Sequence, residues 1–217
     1  MSAVVERFLR YVKCNTQSDP DTGMVPSTPG QVMFAEMLCE EMKVLGMSGT
    51  EVDGNGYVYG FLPSNAEKEV TAVGFISHMD TSPDMSGKHV RPQIIQNYAG
   101  TDIVLDKESN LVLSPEQSPE LLNYIGQDLI TTSGNSLLGA DDKAGIAEIL
   151  TAVEYLVNHP EVKHGEIYVC FTPDEEIGHG TDHFDLKKFR AKFAYTLDGG
   201  EIGELQYENF NAAFARL

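Results

Sequence analysis

Three apolar runs in this chain stop at ionisable residues, and that arrangement constrains its fold more than any other feature. Residues 73–77 run into His78-Met79-Asp80-Thr81, residues 167–172 into Pro173-Asp174-Glu175-Glu176, and residues 193–197 into Asp198-Gly199-Gly200. The stretch 70–77 is almost continuously apolar, the pattern of a strand buried on both faces as in a parallel sheet. Helical spacing lies around these runs. Val5, Phe8, Leu9 and Val12 predict an opening helix, and Ile146, Ile149, Leu150, Val153 and Val157 a later one. A further helix is predicted from Thr28 to about Leu45, with Thr28 as N-cap, Pro29 in the first turn, Gln31 as capping-box partner and Gly46 as the stop. Residues 57–62 alternate like a strand after the turn Asp53-Gly54-Asn55-Gly56. Strands alternating with helices predict an α/β fold, a mainly parallel mixed sheet with helices on both faces. A long polar stretch, 82–139, interrupts the alternation with short strand-like pieces at 103–105, 111–113 and 129–132.

Open α/β sheets bind ligands just beyond the carboxyl ends of their strands, where these motifs fall. A fourth cluster, Gly139-Ala140-Asp141-Asp142-Lys143, sits at a loop-to-helix junction. Each cluster alone has an ordinary explanation. His78 could be a satisfied strand-end histidine, Asp141 or Asp142 a helix cap, Glu175-Glu176 a solvated turn, and Asp198-Gly199 a simple turn. Together on one sheet edge they pose an electrostatic problem, since converging carboxylates repel and raise one another's pKa values. A bound dication removes the conflict. Imidazole with carboxylates suits zinc, with cobalt or manganese as substitutes. His78 and Asp80 are two apart and can point to one side, Asp80 backing the ring. Glu175 and Glu176 are neighbours and point apart, which suits a base beside a ligand. Two metals ~3.5–4 Å apart would clamp a hydroxide and polarise a scissile carbonyl.

Composition limits the partners. A net charge of −18 opposes nucleic acid or an anionic membrane as a partner. No apolar run approaches a membrane span, and Glu6, Arg7, Arg10 and Lys13 break up what a signal peptide would keep apolar. Cys14, Cys39 and Cys170 are odd in number and form no CxxC pair, so they are expected to be buried, reduced thiols of a cytoplasmic protein.

The four clusters, in this order, resemble the peptidase T branch of the M20 zinc peptidases. The matching motifs are His78-Met79-Asp80-Thr81, Gly139-Ala140-Asp141-Asp142-Lys143-Ala144-Gly145, Thr172-Pro173-Asp174-Glu175-Glu176-Ile177-Gly178 and Leu197-Asp198-Gly199-Gly200-Glu201. The 82–139 stretch resembles that branch's insertion, and Leu205-Gln206-Tyr207-Glu208-Asn209-Phe210-Asn211-Ala212-Ala213 its passage towards a second domain. The resemblance implies a zinc-exopeptidase-like catalytic domain over 1–207, incomplete at the C-terminus, with 208–217 starting a link to a lid or dimerisation domain. It implies Asp141 bridging two metals, His78 and Asp198 completing one ligand set, and Glu176 holding the other metal. Asp80 would orient His78, and Glu175 would be the general base that activates the bridging water. A cis peptide between Asp141 and Asp142 is also implied. In this family a histidine from a later, returning segment completes the second metal site. His89, His159, His164, His179 and His183 fall in none of the motifs, and the sequence ends at Leu217. One tight zinc and reduced activity are therefore expected, together with self-association through uncovered apolar surface. The reaction implied is release of the N-terminal residue from short peptides, chiefly tripeptides. The other readings are a metal-binding remnant without turnover and an M20-type dipeptidase or N-acyl amino acid deacylase.

Overall fold

The structure, a computed structural model, describes residues 1–208. Helix α1 (Ala3–Tyr11) and helix α2 (Pro29–Val44) follow the predicted spacing, and both turn aromatic residues inward, Phe8 and Tyr11 from one and Phe34 from the other. Strands β1 (Ser48–Val52), β2 (Val58–Leu62) and β3 (Val73–His78) come next. The 82–139 stretch holds β4 (Gln93–Ile95), β5 (Ile103–Asp106), β6 (Leu111–Leu113) and β7 (Leu129–Thr131), which pair as two small antiparallel sheets, β4 with β7 and β5 with β6. Helix α3 (Ala140–Asn158), β8 (Ile167–Thr172) and β9 (Phe193–Thr196) close the described chain.

The central sheet has five strands in the order β1-β2-β8-β3-β9. β3 runs parallel to β8 and β9, while β2 is antiparallel to both β8 and β1, so only β2 runs against the other four. The mainly parallel mixed sheet thus stands as expected. β8 is buried at every residue, and its register with β3 runs from Val73 opposite Ile167 to His78 opposite Thr172. The two strands therefore end level, with β9 beside them. That places the three charged strand ends side by side.

Side chains alternate across a strand, and the two faces of this sheet are covered differently. Val169 and Phe171 join Val58 and residues of all three α-helices in one core: Phe8, Leu38 and Ile146 are examples. Tyr168 and Cys170 face the other way, with Tyr57, Tyr59 and Phe189. The expectation of helices on both faces is corrected here. Among the described residues, the second face is covered by the turns of 178–192, from which Phe184 and Phe189 plug the sheet. Glycines and short polar residues at 178–182 favour turns over a helical period, and two aromatics five apart suffice to cover the face.

Cys39 and Cys170 are buried, Cys14 is half-buried, and all three are free thiols. Among the described residues no helix is long and apolar enough to cross a membrane. The predicted link at 208–217 lies, apart from Glu208, outside the described residues.

Candidate active site

His78 is the last residue of β3, and its ring is almost entirely buried at the sheet edge. Its Nδ1 lies 3.1 Å from the backbone carbonyl of Asp80 and 3.3 Å from Asp80 Oδ1. Both neighbours accept, so the Nδ1 side carries the proton and Nε2 faces the cluster. Nε2 is 2.8 Å from Asp141 Oδ1, 3.8 Å from Glu175 Oε2 and 4.0 Å from Asp198 Oδ1. One ligand atom from each of His78, Asp141 and Asp198 lies within 4.8 Å of the other two. The carboxylates of Asp141, Glu175 and Asp198 are roughly half exposed above the buried ring.

Asp80 is fully buried, and its carboxylate does two jobs. Besides facing His78, it accepts the backbone N–H of Glu175 at 2.9 Å and of Glu176 at 3.1 Å. The short 3₁₀ turn Glu175–Ile177 is therefore tied to the residue that backs the histidine. The Glu176 side chain lies outside the three-residue group, although its amide is held beside that of Glu175.

The Asp141–Asp142 peptide is cis, and both residues have non-helical backbone angles, so the regular part of α3 begins after them. Asp142 is buried, and its carboxylate accepts the backbone N–H of His78 at 3.2 Å. Lys143 is buried as well. It donates to the Cys14 carbonyl at 2.7 Å, and its ammonium sits 5.6 Å from the Phe34 ring centroid.

Charge in the site is poorly balanced. Burial alone would lower His78, but hydrogen bonds to Asp141 and Asp80 override it and draw the imidazole up to about 11. Burial pushes Asp142 up to about 8. Glu175, Glu176 and Asp198 are raised, first by partial burial and then by repulsion from neighbouring carboxylates. Lys143 is lowered by burial to about 8. The cluster thus draws positive charge to itself, holding a proton on His78. A cavity of about 280 Å³ opens beside it, lined by Ile76, His78, Glu175, Phe184 and Asp198.

His179 and His183 are exposed, and His179 Nδ1 pairs with Asp182 Oδ2 at 2.7 Å. Sequence reasoning gave no role to Asp174, which is fully buried and adopts φ 55 at the start of the 3₁₀ turn. Asp tolerates the left-handed region better than most residues, so a third acid beside Glu175-Glu176 was the available signal. Asp142 and Lys143 are charged residues at a helix start, where exposure is the ordinary expectation, and the sequence carries no sign of their burial.

No family model matches the chain. Over all 217 residues it is 61% identical to peptidase T of Clostridium acetobutylicum, covering 100% of this chain and 53% of that protein. The chain spans about half the length of the curated relatives it matches. The solved structure of the aminopeptidase PepT from Bacillus cereus superposes with a TM-score of 0.65 at 24% identity, covering 92% of this chain and 43% of that one. An M20 family metallo-carboxypeptidase from Sulfolobus solfataricus gives a TM-score of 0.53 at 20% identity, over 92% of this chain and 38% of that one. At these identities the solved structures speak to the fold alone.

Proposed function

Given that this chain belongs to the peptidase T family over its whole length, we propose that it carries the metal-binding core of an aminopeptidase acting on short peptides, tripeptides above all. The observation that carries this reading is the convergence of His78, Asp141 and Asp198 within 4.8 Å, with Glu175 Oε2 only 3.8 Å from the imidazole. The donor set fits a dication of the zinc type: one imidazole nitrogen, carboxylate oxygens, and a local charge that holds a proton where a cation would sit. Zinc is the first choice, with cobalt or manganese as substitutes. His78, Asp141 and Asp198 would hold one ion, and Asp141 with Glu176 would supply ligands to a second. When bound, such an ion polarises a scissile carbonyl and acidifies water.

The chain's own groups then divide the work. Glu175 is the general base, taking a proton from the attacking water and returning it to the leaving amine. Burial and its acidic neighbours raise its pKa towards the working range of a base. Asp80 holds the Nδ1 side of His78 and the amides of Glu175 and Glu176, fixing base and ligand relative to each other.

A second reading, metal binding without turnover, is favoured by the ligand geometry: among the described residues only His78, Asp141 and Asp198 converge, and the Glu176 side chain lies outside that group. Tripeptide hydrolysis by the 217-residue chain with added zinc or cobalt, beside Glu175→Ala, separates the two. Hydrolysis that disappears in the variant supports the peptidase. Equal, negligible rates with metal bound support the second reading, and a preference for dipeptides or N-acyl amino acids would point to a different M20-type hydrolase. Equilibrium dialysis should find one tight zinc per chain, and two would overturn the single-site expectation. The free thiols suit a reducing compartment, and the cytoplasm is the proposed location. Exposed Phe193 and Tyr195 on β9 support self-association, which sedimentation would detect.

A further inference from the structure

Gln31 departs from a local rule. In the Thr28-to-Gln31 pattern a capping-box glutamine reaches back to the N-cap backbone N–H. Thr28 does occupy the N-cap of α2 but makes no side-chain cap bond, and its hydroxyl donates to the Gln17 carbonyl at 2.9 Å. The Gln31 amide is diverted to Asp174. Its Nε2 donates to Asp174 Oδ1 at 2.6 Å, and its Oε1 accepts the Asp174 backbone N–H at 3.1 Å. Ser27 completes the arrangement, its backbone N–H donating to Asp174 Oδ2 at 2.7 Å and its hydroxyl to Oδ1 at 2.5 Å. Gln31 and Asp174 are fully buried, and Ser27 is 4% exposed.

A buried carboxylate that receives three donors from the start of a helix is held firmly. Asp174 directly precedes Glu175, so whatever fixes Asp174 fixes the entry to the 3₁₀ turn. The turn is then gripped from two sides: Asp80, beyond β3, binds the Glu175 and Glu176 amides, and the start of α2 binds Asp174. A simple anchor of α2 to the sheet would not need to act at this one peptide. We propose that Ser27, Gln31 and Asp174 are positioning residues that set the Glu175-Glu176 turn against His78, their catalytic meaning resting on the peptidase reading above.

Amide-resolved hydrogen exchange on the 217-residue chain tests this without metal or substrate. Gln31→Glu sets two carboxylates face to face, and protection at the Glu175 and Glu176 amides should fall by about tenfold or more. Val169 in β8 and Leu150 in α3 should keep theirs. The exchange Gln31→Glu with Asp174→Asn restores an amide–carboxylate pair and should recover protection to within about threefold of wild type. Ser27→Ala removes one donor but keeps the backbone N–H, and gives a milder loss at the same two amides if the charged variant does not fold. Unchanged protection in both single variants, a loss shared equally by Val169 and Leu150, or no recovery in the double variant would overturn the proposal. In the two single variants tripeptide hydrolysis should lose kcat with KM within about twofold, and the double variant should recover it. A wild-type chain that does not hydrolyse tripeptides would remove the peptidase reading while leaving the exchange result to decide the positioning role.

Discussion

Asp80 organises more of the site than its place two residues after His78 suggests. A buried carboxylate with four lone-pair sites can serve the imidazole and two amides at once, which an amide side chain cannot. Asp80→Asn presents an N–H to one of the Glu175 or Glu176 amides. It should cost ~1–3 kcal/mol of stability, read from urea unfolding, where an ordinary strand-end polar group would cost almost nothing. The spacing His78-Met79-Asp80 showed that Asp80 could back the ring. Its hold on the Glu175 turn was not legible, because residues 95 positions apart meet there only after β3 and β8 pair. Glu41 makes a second case. Its carboxylate accepts from Arg7 Nε at 2.7 Å and Tyr11 Oη at 2.8 Å and pairs with Arg10. Burial would raise it, but Arg7, Tyr11 and Arg10 outweigh burial and hold its pKa below the ordinary 4.5. The folded chain therefore binds this proton less readily than the unfolded chain, and the stabilisation is present above pH 4.5 and lost as pH falls through the depressed value. The stability gap between wild type and Glu41→Gln should accordingly narrow below that pH in urea titrations. A gap that widens on acidification would reject the assignment.

At the scale of elements, periodicity carried most of the fold. α1, α2, β2, β3 and β8 fall close to where apolar spacing put them, because each buries one face or two. β9 falls there as well, held by its pairing with β3 although its four residues are exposed. α3 begins six residues before Ile146, since its first turn is built around Asp141 and Asp142 and not around an apolar stripe. β1 was missed because Ser48-Gly49-Thr50-Glu51 reads as a turn, and Gly49 does take φ 61 within a strand whose register slips. β4, Gln93–Ile95, places only two apolar residues between Pro92 and Gln96 and does not stand out from its polar surroundings. The second layer over the sheet was misread for a different reason: turns that insert Phe184 and Phe189 have no repeat to detect. Their dependence on the sheet below is testable at Gly74. A Cβ there would clash with Phe189 Cζ and lie 3.0 Å from Ala191 Cβ. Strand propensity favours Gly74→Ala, yet overpacking against a residue only 5% exposed should dominate, at ~1–3 kcal/mol. The urea midpoint should fall with the slope unchanged, and a neutral or stabilised variant would show that 178–192 can lift off without cost.

At the scale of the whole molecule, the sequence carried the chemistry of the site better than its geometry. Residue types at three strand ends and one helix start named the cluster, but its convergence depends on β3 lying between β8 and β9 with the strand ends level. That convergence concentrates negative charge in a chain already at −18. Two responses are open to such a cluster. It can take up protons, as the raised His78 and Asp142 do, or it can take up a dication. A cation that binds the folded chain alone stabilises it by about 2.7 kcal/mol at a hundredfold excess over Kd. For a chain of this size that is roughly 5–10 °C in Tm. Zinc should therefore raise Tm with a saturating dose dependence, and cobalt less, whereas sodium chloride at equal ionic strength should act weakly through screening. His78→Ala and Asp198→Asn should each abolish most of the zinc-dependent shift. The three cysteines lie outside the cluster, so replacing all three by serine should leave the shift in place. If the shift follows the cysteines and ignores His78 and Asp198, zinc is acting on thiols and the sheet-edge cluster is not its site.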